Sequence, residues 1–433
     1  MGDESIALGY ANERAIQLPL NVLNNHVSIF GRSGSGKTGM IISIVEQALN
    51  HDIPCLLIDV KGDLANILRL EGVAHTRRLL TPGASHGDPV NLFAKLTSPD
   101  HTSLVVTALL RLMGVESNRT QEAYHLYLTT IVEYYRDVHP SMQLEELLPL
   151  ILNPGIENLG MLNIDEVLPK AARRNLAVKL NNIIANSSFD LWRQGVSLDF
   201  DQLFDCQPGH PACVVFSVAH LVDEEERSMA LTMVLTEYMR WTLQQTGTKE
   251  LRSLMVLDEC HGVMPPYPKN PPTKVPLMNL LKQARAFGNG IILGTQNPKD
   301  IDYKGLAQCQ TWIVGQLKTK NDRTRILEGF SGLDLSPKAL DEKMAGLLAR
   351  EFIVNSGSRF AVVSSYDTQT ELTGPMAPPD LAKLVQDGFV YKLSNLLNIR
   401  DGLVSMGVDR TIQLDEKVEP KSTFREAWSN LWK

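Results

Sequence analysis

The chain has little of what marks several protein classes. Its 433 residues include only five cysteines (Cys55, Cys206, Cys213, Cys260 and Cys309), and no two of them form a C-x-x-C pair. Neither a zinc ribbon nor a dithiol redox motif is therefore supported, and the scatter predicts buried free thiols in a reducing compartment. No apolar run reaches the length of a membrane span. The first residues carry neither the basic nor the apolar segment of a secretory signal, so the expectation is a soluble, cytoplasmic protein without membrane contact. Positive charge is not in excess either, with 42 Lys and Arg against 49 Asp and Glu for a net charge of −7. A wholly basic surface is excluded, and any nucleic-acid contact must come from a local patch or a ring of loops. No internal repeat or low-complexity tract is apparent.

What is present begins at residue 31. Gly31, Arg32, Ser33, Gly34, Ser35, Gly36, Lys37 and Thr38 complete a G-x-x-x-x-G-K-S/T phosphate loop. An apolar run (26–30) precedes it and a helix-like stretch (40–49) follows, which is the strand–loop–helix context the motif requires. The glycines let the backbone turn tightly and aim several N–H groups, together with Gly39 at the helix start, at one anion. Lys37 is expected to reach the β- and γ-phosphates and the Thr38 hydroxyl to ligate Mg²⁺, so ATP and Mg²⁺ are the expected ligands.

The second motif is an apolar run (254–257) ending in Asp258 and Glu259. This Walker B pattern uses a buried strand to deliver Asp258 to the metal shell. Glu259, one residue on, stands at the sheet edge to polarise the attacking water. The long stretch between Lys37 and Asp258 implies that another strand lies between the two Walker strands. A third strand (291–295) ends in Gln296, a candidate sensor of the γ-phosphate. The arginine that meets transition-state charge is sought in Arg285, with Arg323 and Arg325 as alternatives. A Pro-rich loop after Walker B carries Lys269 and Lys274, candidates for contact with DNA phosphates. His261 lacks a second ligand at metal spacing and reads as a loop residue.

Strand and helix signals alternate around these motifs, which predicts a mostly parallel sheet covered on both faces. Residues 351–354 and 359–363 read as a hairpin. The expected organisation is an N-terminal lead-in (1–25), an α/β core (26–95 and 206–370), a mostly helical insertion (96–205) and a C-terminal tail or interface element (371–433).

Residues 59–64 (Asp59, Val60, Lys61, Gly62, Asp63, Leu64), 280–288, 294–304 and 311–315, with Gly374 and Pro375, resemble the HerA-like branch of the HerA/FtsK motor ATPases. The likeness runs over roughly 20–380. It implies a RecA-like P-loop ATPase fold with a helical insertion. It also implies a hexameric ring that hydrolyses ATP and pulls double-stranded DNA through its centre, often beside a nuclease or other effector, in DNA processing or anti-phage defence. It assigns nucleotide and Mg²⁺ to Lys37 and Thr38, metal and water to Asp258 and Glu259, the sensor to Gln296 and the finger to Arg285. Family members often carry an N-terminal β-barrel, for which residues 1–25 are too few. That departure and the acidic balance keep a second expectation open, an ATP-dependent scaffold or switch that assembles a partner without moving DNA.

Overall fold

The computed structural model describes residues 4–115, 119–317, 319–327, 329–330, 336–357, 359–390 and 392–393. Its strands are β1 (Ser5–Ala11), β2 (Arg14–Pro19), β3 (Val27–Phe30), β4 (Cys55–Asp59), β5 (Thr76–Leu80), β6 (Asn158–Leu159), β7 (Leu162–Asn163), β8 (Ala212–Ser217), β9 (Thr248–Leu257), β10 (Phe287–Thr295), β11 (Thr311–Val314), β12 (Glu351–Ser356) and β13 (Arg359–Ser365). Except for the β6–β7 pair, all join one eleven-stranded sheet in the order β2-β1-β13-β12-β11-β3-β10-β9-β4-β8-β5. From β11 to β5 every pairing is parallel. β12, β13, β1 and β2 extend that block as an antiparallel ribbon.

The central strands are short apolar runs buried on both faces, as parallel strands must be. Successive residues alternate between two cores. In β4, Leu56 and Ile58 pack with the helical segment and the helix Glu224–Gln244, whereas Cys55 and Leu57 pack with helix α1 (Lys37–Asn50) on the other face. Helix Glu224–Gln244 opens as its acidic run predicts, with the Asp223 carboxylate accepting from the N–H groups of Glu225 and Glu226.

The strand expected between the two Walker strands is β10, which pairs with β3 on one side and β9 on the other. The hairpin expected at 351–363 is β12–β13. From Thr102 to Leu203 the described elements are helices, apart from the two-residue strands β6 and β7. Sequence reasoning passed over β5, because Thr76, Arg77 and Arg78 disguise a strand that buries only Arg78, Leu79 and Leu80. The lead-in forms β1 and β2, the latter at the sheet edge. Of the expected C-terminal element, residues 394–433 lie outside the described residues; before them stands the helix Pro378–Gln386. Among the described residues no helix is long and apolar enough to cross a membrane.

Candidate active site

Because β11, β3, β10, β9 and β4 are parallel, their carboxyl ends meet at one edge, where ligands bind in such sheets. The phosphate loop lies there between β3 and α1. Gly34 (φ +78°) and Gly36 (φ +91°) occupy the left-handed region that glycine adopts without penalty. Backbone hydrogen bonds brace the loop. Gly31 N–H donates to Thr295 at 3.1 Å, Arg32 N–H to Gln316 at 2.8 Å, and Arg350 N–H to the Ser35 carbonyl at 2.8 Å. The loop is thus fixed to the ends of β10, β11 and β12. Ser33 and Gly34 are exposed, while Thr38 and Gly39 are half-buried on the first turn of α1.

Lys37 is buried and pairs with Asp258 Oδ1, and its Nζ lies 3.5 Å from Glu259 Oε1. Asp258 fits because residue 294 is glycine; a Cβ there would overlap Asp258 Oδ1. Glu259 has φ +57°, an uncommon conformation for a non-glycine residue, and its N–H donates to Asp258 Oδ1 at 2.9 Å. This turn puts a buried carboxylate among four donors. Gln296 Nε2 donates to Oε1 at 2.6 Å, Lys61 Nζ lies 2.8 Å from the same oxygen, and His261 Nδ1 is 3.3 Å from Oε2. Lys37 is the fourth. Burial pushes the Glu259 carboxyl up, but the His261 hydrogen bond, the Lys37 charge and the hydrogen bonds from Lys61 and Gln296 outweigh it. The net result holds Glu259 well below the usual carboxylate range.

The loop after β4 flanks this cluster. Asp59 accepts from Gly62 N–H at 2.8 Å and Ala65 N–H at 2.9 Å, and burial raises its carboxyl to about 6. Asp63 is raised by burial and then by the Asp258 charge, against Lys37 and Lys61.

The structure brings Gly31, Ser33, Gly34, Ser35, Gly36, Lys37, Thr38, Gly39, Asp258, Glu259 and Gln296 to this one edge. It does not bring Arg285. That residue sits in the turn Ala284–Ala286 before β10, exposed, close enough to His26 ahead of β3 for its charge to be felt there. Both lie at the amino ends of their strands, the edge opposite the phosphate loop. Arg323 is paired with Asp341 at 2.7 Å, and the Arg325 guanidinium lies over the Tyr303 ring at 4.6 Å. Of the two lysines expected to contact DNA phosphates, Lys269 is exposed and Lys274 is engaged within its own chain. Its Nζ donates to the Pro265 carbonyl at 2.8 Å and pairs with Asp302 at 2.7 Å, so it fastens the base of its own loop.

Lys61, Asp63 and the His261 contact were not assigned to the site from sequence. The polar run 59–63 at a strand's carboxyl end was the available signal. It did not reveal which side chain reaches Glu259.

Among the described residues no group of three or more His, Cys, Asp or Glu could hold a metal. The Thr38 hydroxyl and the Asp258 carboxylate are hard oxygen donors that suit Mg²⁺, which binds through one or two protein oxygens plus substrate phosphates.

Residues 6–203 match the family described as Helicase HerA, central domain. The chain is 21% identical over 329 residues to the DNA double-strand break repair helicase HerA of Sulfurisphaera tokodaii, covering 73% of this chain and 60% of that protein. It is 21% identical over 294 residues to the DNA import protein CedB of Sulfolobus acidocaldarius, covering 67% and 43%. The chain thus spans about half the length of these curated relatives. Among solved structures, VirB4 of Thermoanaerobacter pseudethanolicus shares the fold with a TM-score of 0.59 and 14% identity, over 88% of this chain and 99% of that one. The plasmid coupling protein TrwB in complex with ADP and Mg²⁺ does so at 0.57 and 15%, over 83% and 88%. With its phosphate loop, Walker B pair and interposed strand on one RecA-like sheet, the chain is similar over residues 6–203 to the central domain of HerA helicases.

Proposed function

We propose that this protein is an ATP-hydrolysing motor that moves double-stranded DNA. The observation that carries the reading is the Glu259 carboxylate, ionised and oriented beside Lys37 at the mouth of a braced phosphate loop. The loop N–H groups and Lys37 bind the phosphates, and Glu259 orients and deprotonates the attacking water. Gln296 links the γ-phosphate position to Glu259. Thr38 and Asp258 hold the Mg²⁺, which neutralises phosphate charge when bound. Lys37 pairs with Asp258 and lies beside Glu259, and its ammonium must turn to the phosphates when nucleotide binds.

The relatives' names concern DNA repair, DNA import and plasmid coupling, which supports DNA as the moved substrate. The remaining parts of the proposal are a homo-hexameric ring in the cytoplasm and a nuclease or other effector beside it, serving DNA processing or anti-phage defence. In that ring the core comprises 26–95 and 206–370, the helical insertion 96–205 and the interface element 371–433. Arg285, remote from its own protomer's loop, serves the neighbour's nucleotide.

The test is ATP hydrolysis with and without long duplex DNA at low salt. Stimulation is expected, and its absence together with no DNA binding would refute the motor. The inward-turned Lys274 and the net charge of −7 favour the second reading, an ATP-dependent scaffold. Lys269→Ala separates the two: a motor loses DNA stimulation and keeps basal hydrolysis, whereas a scaffold shows no stimulation to lose.

A further inference from the structure

Lys61 has no role in the scheme above, yet it makes a direct contact with the residue on which that scheme depends. Its Nζ lies 2.8 Å from Glu259 Oε1, with 44% of its own side chain exposed and 4% of that of Glu259. Its backbone is held from two sides. Below, the buried Asp59 carboxylate accepts from Gly62 and Ala65 N–H and closes the turn that carries Lys61. Above, the segment after β13 lies on Gly62, with Met376 N–H donating to the Gly62 carbonyl at 3.1 Å. Gly62 has φ +96°, and a Cβ there would stand 2.9 Å from the Met376 carbonyl oxygen, so the two chains touch directly.

Glu259 is therefore gripped from both neighbouring strands. Gln296 reaches it from the end of β10 and Lys61 from the end of β4, the two strands that flank β9. The other lysine on Glu259, Lys37, is committed to the phosphates once nucleotide binds. At that moment Glu259 loses one of its partners while its carboxylate must stay aimed at water. Lys61 sits on a turn that the phosphate loop does not form and remains available.

We propose that Lys61 is a positioning residue that holds the Glu259 carboxylate in its catalytic orientation while nucleotide occupies Lys37. The proposal rests on the ATP-hydrolysis reading and adds a residue to it. Lys61 touches neither water nor phosphate in this role; it acts through Glu259.

The experiment is steady-state hydrolysis by the full chain as wild type, Lys61→Met, Lys61→Arg, Glu259→Gln, and Glu259→Gln with Lys61→Met. Equilibrium ATP binding is measured on the two Glu259→Gln proteins. Lys61→Met is expected to lower kcat on the order of 10²-fold, the scale of a misplaced catalytic group. KM should stay within about twofold, and Lys61→Arg should restore most of kcat. In the Glu259→Gln background, Lys61→Met should cost no further rate and leave ATP affinity unchanged. A raised KM or weakened ATP binding would make Lys61 a phosphate contact and overturn the proposal. A raised kcat would make it a brake, and equal losses from Met and Arg, or a further loss in the Glu259→Gln background, would show that it does not act through Glu259. Wild type that hydrolyses while Lys61→Met is unaffected sinks the positioning role alone; wild type that hydrolyses no ATP removes the parent reading and this proposal together.

Discussion

Glu259 sits in a left-handed backbone conformation, an arrangement kept only where the surroundings over-determine it. Replacing it with glutamine keeps the hydrogen-bond shape and removes the base. Glu259→Gln is expected to bind ATP and to lose hydrolysis by about 10²–10⁴-fold, read by turnover against equilibrium binding. Lys37→Ala behaves differently. It loses nucleotide affinity, and it leaves the buried Asp258 carboxylate without its cation beside Glu259, which keeps Lys61. The nucleotide-free variant should therefore unfold more easily by about 3 kcal/mol in urea. His26 supplies a pH test. Burial lowers its imidazole from 6.5 to about 4, and the Arg285 charge acts in the same direction. The native residue stays neutral while the unfolded chain takes up a proton below its ordinary pKa of 6.5. Its contribution to stability is complete above pH 6.5 and is lost as pH falls through about 4. The shift corresponds to about 3 kcal/mol. Asp59 opposes it over part of that window, its carboxyl being raised to about 6, so a single-site variant is the clean measurement. Urea unfolding of His26→Leu should lose less stability than wild type on going from neutral pH to pH 4; an equal loss in both would exonerate His26.

The elements that matter for the chemistry are strand ends and the segments that brace them. β9 and β10 approach so closely at Gly294 that any side chain there displaces the Asp258 carboxylate. Gly294→Ala should leave the fold intact by circular dichroism and lower hydrolysis at least about tenfold, through displacement of the Asp258 carboxylate proposed to hold Mg²⁺. The segment after β13 is fixed to α1 by Glu46, whose carboxylate accepts from Gln369 N–H at 3.1 Å and Thr370 N–H at 2.7 Å. Further along, Asn66 Nδ2 donates to the Gly374 carbonyl at 2.9 Å. The nucleotide helix and the loop carrying Lys61 are thus tied to one strap. Glu46→Ala removes a charged acceptor of two N–H groups, the Thr370 one buried, and should cost about 2 kcal/mol, with faster amide exchange over 366–374.

At the scale of the whole molecule the question is where the arginine comes from. Within one protomer Arg285 and the phosphate loop lie at opposite edges of the same sheet. If subunits pack around a ring, one protomer's Arg285 can complete another's site. Arg285→Ala should then abolish hydrolysis while sparing nucleotide binding. Mixing Arg285→Ala with Glu259→Gln protomers should restore part of the activity, because some interfaces regain both groups. No recovery in mixed rings would remove Arg285 from a role in trans.

The phosphate loop, the Walker B carboxylates and the strand between them were legible in the chain itself. Each is a local pattern: glycines where the backbone must turn, an apolar run where a strand is buried, and a polar residue where the strand ends. Such patterns name a strand's contents and its exposed end. They do not name its neighbours. That Lys61 and Gln296 meet on one carboxylate follows from β4 and β10 flanking β9, a consequence of crossover connections over more than two hundred intervening residues. That Lys274 points inward follows from Asp302, on a different loop, lying within reach of its ammonium. Composition and spacing alone determined that a triphosphate can be held at the edge of a wound sheet. Packing alone decided which distant charges reach the Glu259 carboxylate, because in a low-dielectric site the partner is set by proximity in space and not along the chain.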